Sequence, residues 1–192
     1  LEVNGPPVVL AGLDQAANEG ELIYFSGSYI DADMTRDDPV TILWYFDDGT
    51  TATDTLTPTH AYGDDGIYEV TLFITDSLGA LGTDTLLVTV GNLPPVIDPL
   101  PDCSALVGTP LLASLTFSDP GWWDSHDVEI DWGDGDTDQY NLLAGALTVN
   151  LNHTYLAAGV YTVVVTVTDD DGGVDSLQFT VNVLLEYFRA QI

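Results

Sequence analysis

The chain has no lysine, and its 192 residues include two arginines, Arg36 and Arg189, against 31 acidic residues. A phosphate backbone is neutralised by Lys and Arg, so this composition excludes nucleic-acid binding. Adhesion to an anionic membrane surface fails for the same reason. Schiff-base and P-loop lysine chemistry are absent with the lysine. The single cysteine, Cys103, cannot form a disulfide within the chain. No apolar run approaches the ~20 residues that a bilayer crossing needs, which argues against membrane insertion. No basic-then-apolar leader opens the chain, so it reads as lacking an attached secretion signal. No segment shows a helical period with caps.

What remains is acidic yet apolar. The formal net charge is -29, while 45% of residues are hydrophobic and 10% aromatic. A disordered acidic chain would be poorer in both. The dominant pattern is an internal repeat of roughly 90 residues, an ordinary domain size. NGPPVV at 4–9 returns as NLPPVI at 92–97, and WYFDDG at 44–49 as IDWGDG at 130–135. THAY at 59–62 returns as NHTY at 152–155, and GIYEVTLFITDSLG at 66–79 as GVYTVVVTVTDDDG at 159–172. Two units follow, 1–91 and 92–192, the second with an apolar extension at 184–192. The Pro94-Pro95 segment between them is expected to be a short, stiff linker.

Within each unit the period is two. Tyr68, Val70, Leu72 and Ile74 alternate with Glu69, Thr71, Phe73 and Thr75; Tyr161, Val163, Val165 and Val167 do the same in the second unit. Ile42, Trp44 and Phe46, and then Val128, Ile130 and Trp132, read as inward faces of further strands. Leu86, Val88 and Val90 are matched with Leu177, Phe179 and Val181. Asp-Gly clusters supply the turns. The fold class is therefore all-β, two tandem immunoglobulin-like sandwiches.

The order N-x-P-P, then W-x-F-D-D-G or W-G-D-G, then H-x-Y, then G-x-Y-x-V-x-L-x-V-x-D resembles the polycystic kidney disease (PKD) domain, twice over and across nearly the whole chain. The second unit's DPGWWDSHDVEIDWGDG is similar to a bacterial and archaeal variant of that module; the first departs with Asp47 at a usual glycine. The resemblance implies a seven-stranded, two-sheet, non-catalytic sandwich of extracellular and cell-surface proteins, including surface layers and accessory modules of secreted hydrolases. It also implies a calcium site at one end of the module. Its ligands would be Asn4, Asp31, Asp33 and Asp76 in the first unit and Asn92, Asp119, Asp124 and Asp169 in the second. The first unit's D-x-D pair fits better; the alternative is that these side chains cap turns and face water.

Other candidates read as architecture. Asp48-Gly49 and Asp134-Gly135 suit tight turns. His60 and His153 recur at one repeat position, as structural histidines would. Tyr68 and Tyr161 suit a tyrosine corner. His126 lies near Asp124, Ser125 and Asp127, but sequence adjacency makes no triad, and no hydrolase signature is present, so the chain is not read as an enzyme. Trp122 and Trp123 either pack over their own sandwich, contact a protein partner or stack on sugar. Asn152-His153-Thr154 is a glycosylation sequon. Leu184, Leu185, Tyr187, Phe188 and Ile192 make the tail apolar, able to close its own sheet or dock on a neighbour. The leading expectation is a structural subunit that polymerises end to end with copies of itself into a filament or surface layer. The other is an adhesive, spacer or substrate-binding module of a larger secreted hydrolase or adhesin, with a polysaccharide or protein ligand.

Overall fold

The structure is a computed structural model and describes residues 4–32 and 39–186. It divides into two compact units between Asn92 and Leu93. No helix occurs among the described residues.

The first unit holds β1 (Val8–Leu10), β2 (Gln15–Asn18), β3 (Ile23–Tyr24), β4 (Ser28–Ile30), β5 (Thr41–Tyr45), β6 (Thr51–Thr53), β7 (Thr59–His60), β8 (Gly66–Thr75) and β9 (Leu81–Gly91). One sheet runs β2-β9-β8-β5-β6; the ladders β1-β4 and β3-β7 make the opposing side. The second unit holds β10 (Val96–Ile97), β11 (Cys103–Leu106), β12 (Leu111–Ser118), β13 (His126–Asp131), β14 (Thr137–Leu142), β15 (Thr148–His153), β16 (Gly159–Asp169) and β17 (Val174–Leu184). Its sheets run β11-β17-β16-β13-β14 and β10-β12-β15. Seven strands per unit are recovered when β1 with β2, β3 with β4, and β10 with β11 are each counted as one strand. The first and last of these pairs are strands that change sheet. β1 pairs antiparallel with β4, whereas β2 pairs parallel with β9; β10 and β11 repeat this against β12 and β17. Gly12, at φ 115°, allows the crossing in the first unit. Pro99 and Pro101 interrupt pairing in the second.

Each core is built by the alternation. Trp44, Phe46, Val70, Leu72 and Ile74 are buried in the first unit, and Ile130, Trp132, Val163, Val165 and Val167 in the second. The last strands align differently from the sequence match. Tyr68 lies opposite Val88, and Tyr161 opposite Val181. Leu86, Val88 and Val90 therefore correspond to Phe179, Val181 and Val183, two residues further on than expected. The reason is the hairpin: Thr75 pairs with Leu81 and Thr168 with Val174, so equal loops carry the register across.

The two cores trade volume at one position. Ile23 pairs with His60 and Leu111 with His153, which makes Gly27 and Leu115 equivalent. Gly27 sits against Trp44 and Leu72, where a Cβ would meet both side chains. The second unit has the smaller Ile130 and Val165 there, and fills the space with fully buried Leu115. The second unit's strand accordingly runs unbroken as β12, whereas its counterpart in the first unit is cut into β3 and β4 around Gly27.

Candidate functional site

Three histidine–aspartate pairs are the most chemically distinctive groups. His60 Nε2 lies 2.7 Å from Asp48 Oδ2, and His153 Nε2 lies 2.8 Å from Asp134 Oδ2. An ionised carboxylate only accepts, so the imidazole N–H donates. Each ring stacks on the aromatic residue just past the end of β5 or β13, His60 on Phe46 at 4.2 Å and His153 on Trp132 at 4.6 Å. The tyrosine two residues later donates to that aromatic's carbonyl: Tyr62 to Phe46 at 2.9 Å and Tyr155 to Trp132 at 3.1 Å. The same network in both units fastens the Asp-Gly hairpin to the other sheet. Tyr68 and Tyr161 hydroxyls donate to the carbonyls of Asp64 and Ala157, four residues upstream, each at 3.0 Å. Burial and neighbouring carboxylates push Tyr68 up to about 12.

Burial alone would raise the Asp48 pKa; hydrogen bonds from the Thr50 hydroxyl and N–H and from His60 overcome it and hold it below its ordinary value. Asp134 is likewise held low, burial being outweighed by His153 and the Asp136 N–H. A carboxylate depressed in the folded state stabilises it above the unfolded pKa, and that contribution is lost as pH falls through the folded value. Thermal midpoints are therefore expected to hold above about pH 4 and to drop below it. Asp48→Asn should flatten that acid limb in the first unit's transition; an unchanged limb in a pH series of calorimetric scans would refute the assignment.

The second unit's loop between β12 and β13 gathers the expected acidic residues. Asp119 Oδ1 accepts the Gly121 N–H at 2.9 Å, and its Oδ2 lies 2.9 Å from His126 Nε2. Both side chains are 1% exposed. Asp124 is buried as well, and one of its carboxylate oxygens lies within 4.8 Å of one from Asp119. Another group, Asp124, Asp170 and Asp171, also brings its oxygens within 4.8 Å of one another. Asp169 uses Oδ1 to accept from the N–H groups of Asp171 and Gly173. The structure thus joins Asp119 to Asp124, and sets Asp169 at a turn whose next two residues face Asp124. Asp170 and Asp171 were not among the sequence candidates; the D-D-D run was their visible signal. Asp134, Asp136 and His153 form a third group within 4.8 Å, in which Asp136 joins the hairpin's His–Asp pair.

In the first unit Asn4 Nδ2 donates to Asp76 Oδ2 at 3.0 Å, and Asp76 Oδ1 accepts from Leu78 and Ala80 N–H groups. Burial would raise the Asp76 pKa, but these hydrogen bonds lower it on balance. Asp31, half-buried, directly follows β4. Asp33 lies outside the described residues, and Asn92 closes the first unit just after β9 ends at Gly91. Every side chain in these sets is an oxygen donor, the chemistry that calcium takes with six to eight ligands.

Of the expected contact residues, Trp122 and Trp123 are 46% and 67% exposed. Leu184 and Leu185 are exposed as well. Tyr187, Phe188 and Ile192 lie outside the described residues. A cavity of about 320 Å³ opens between Ser104, Leu106, Leu111, Leu112 and Leu184.

Comparison with known proteins follows the same division. A family model described as the PKD domain matches residues 4–90 and again 92–183. A microbial collagenase of Vibrio alginolyticus is 38% identical over 97 residues, 48% of this chain and 11% of that protein. Collagenase ColA of Bacillus cereus is 44% identical over 55 residues, 29% of this chain and 6% of its own. The chain therefore spans about a tenth or less of the length of these curated relatives. Among solved structures, the PKD domain of an M14-like peptidase from a Thermoplasmatales archaeon is 24% identical, covering 50% of this chain and 100% of its own, with a TM-score of 0.40. No helix among the described residues is long and apolar enough to cross a membrane.

Proposed function

The chain belongs to the PKD domain family, and on that premise we propose that it is a non-catalytic extracellular module. Its two sandwiches serve as a spacer or substrate-binding accessory of a larger secreted hydrolase or adhesin. The carrying observation is the duplication of the His–Asp–Tyr network. Both copies hold a hairpin in the same way, which is architecture rather than an active site. The collagenase relatives, of which such a region is a small part, support the accessory reading. The purified chain is expected to hydrolyse neither gelatin nor polysaccharide, to run as a monomer in size exclusion with light scattering, and to co-sediment with an insoluble protein or glycan. Hydrolysis that disappears with His126→Phe would overturn the reading.

Self-assembly into a filament or surface layer with copies of itself is the second reading. Exposed Leu184 and Leu185 beside the apolar cavity favour it. Deleting residues 184–192 should then abolish fibres seen by electron microscopy; fibres that persist after deletion would exclude the tail as the contact.

Calcium belongs to the same proposal. Asn4, Asp31, Asp33 and Asp76 would hold it in the first unit, and Asp119, Asp124 and Asp169 in the second. The approach of Asp119 and Asp124 to within 4.8 Å, in a chain without lysine, supports a bound cation in the second unit. Binding to the folded state alone would stabilise it by about 2.7 kcal/mol at a hundred times the dissociation constant. Calcium should raise the melting temperature, EDTA should reverse the rise, and Asp76→Ala should remove it from the first unit. Absence of heat in calorimetric titration, with no shift on chelation, would refute it.

A further inference from the structure

Trp122 and Trp123 are the most conspicuous side chains that neither core uses. The loop that carries them is fixed at both feet. On one side Asp119 binds the Gly121 N–H and the buried His126 ring. On the other, the Asp124 N–H donates to the Gly121 carbonyl at 3.2 Å, and the Asp124 carboxylate is buried beneath the turn. Gly121 has no room for a Cβ, which would run into that carboxylate. The Ser125 N–H donates to Asp170 Oδ1 at 3.0 Å, tying the loop to the acidic turn after β16. Two large apolar rings are thus held outward by polar groups that are themselves buried. Asp170 and Asp171 are exposed, and each brings a carboxylate oxygen within 4.8 Å of one from Asp124, the residue that follows Trp123.

We infer that the Trp122–Trp123 loop and the Asp170–Asp171 turn together form a docking surface for an arginine-bearing basic segment of a partner protein. An indole face attracts a guanidinium through its quadrupole, and a neighbouring carboxylate fixes the fork by hydrogen bonds. The surrounding field has the same sign of preference: a net charge of -29 draws cationic partners and repels acidic ones. The described residues contain no lysine or arginine to satisfy this surface from within. Rigid presentation lowers the ordering cost of binding. The inference goes beyond a spacer role and does not depend on calcium or on fibre formation.

The test is fluorescence anisotropy in EDTA buffer with a labelled peptide of alternating Gly and Arg, against the matching Gly-Lys peptide. Bulk attraction to the chain is separated out by Trp122→Ala/Trp123→Ala, which leaves the charge untouched and, at exposed positions, the melting temperature as well. That variant is expected to bind the Arg peptide about tenfold more weakly. Asp170→Asn/Asp171→Asn should also weaken it, and the wild type should prefer Arg over Lys. Equal affinity of wild type and the tryptophan variant would overturn the proposal, leaving only nonspecific attraction. So would tryptophan-dependent binding of cellohexaose without Arg-peptide binding, which assigns the loop to glycan. A dimer in sedimentation velocity that the tryptophan variant loses, with unchanged peptide affinity, would assign it to a second copy of the chain.

Discussion

Gly27→Leu is expected to unfold the first unit at temperatures where the second stays folded. A Cβ at position 27 would stand 2.5 Å from Leu72 and 2.7 Å from Trp44, before the rest of a leucine is added. Trp44 and Leu72 have no exposed surface to retreat to. Trp44 is further anchored by its indole N–H, which donates to the Thr55 carbonyl at 3.0 Å. Overpacking such a site costs about 3 kcal/mol, a shift of roughly 15 °C for a domain of this size. The second unit supplies the remedy, since Leu115 is accommodated there by Ile130 and Val165. Adding Trp44→Ile and Leu72→Val to Gly27→Leu should therefore restore part of the loss. Differential scanning calorimetry should show two transitions, with only the lower one moving. A triple variant no more stable than Gly27→Leu alone would show that the two cores are not exchanging volume in this way.

The same pair of positions shows how far the sequence could be read. Alternation of Tyr68, Val70, Leu72 and Ile74 specifies a strand with one buried face, and the structure buries Val70, Leu72 and Ile74 fully. Repetition of H-x-Y signals a structural histidine, because a duplicated pattern implies a duplicated scaffold. What the alternation leaves open is register. A period of two is satisfied equally well when Leu86 is matched to Leu177 or to Phe179; only the hairpin loops decide for Phe179. The interruption at Gly27 was invisible for a related reason. It depends on the size of Trp44, a side chain on another strand brought near only by folding. The acidic candidates divide similarly. Asn4 and Asp76 meet as the motif order suggests, while Asp170 and Asp171 meet Asp124 because the β16–β17 turn folds back onto the loop. Trp122 and Trp123 are exposed while the side chains of Asp119, Asp124 and His126 are buried, a reversal that residue type alone does not signal.

That burial sets up the second large effect. Asp119→Ala is expected to destabilise the second unit by about 3 kcal/mol, the range for removing one partner of a buried pair. His126 Nδ1 is buried without a hydrogen-bond partner. Its ring lies edge-on to Phe117 at 4.8 Å, so water has poor access to it. Asp119 gives Nε2 its acceptor; without it both ring nitrogens are stranded. His126→Phe should be costly too, because it strands the Asp119 carboxylate instead. The double substitution removes both polar groups and should cost less than the sum of the singles by about 2 kcal/mol. The equivalent test on a partly solvated pair gives the scale. His60 and Asp48 are 15% and 22% exposed, and Asp48→Ala should cost only about 1 kcal/mol. Chemical denaturation followed by the fluorescence of Trp132, buried in the second unit's core, reads the Asp119 series. Additive losses across Asp119 and His126 would mean that the two side chains do not stabilise each other, and that the loop bearing Trp122 and Trp123 is held by its backbone turns alone.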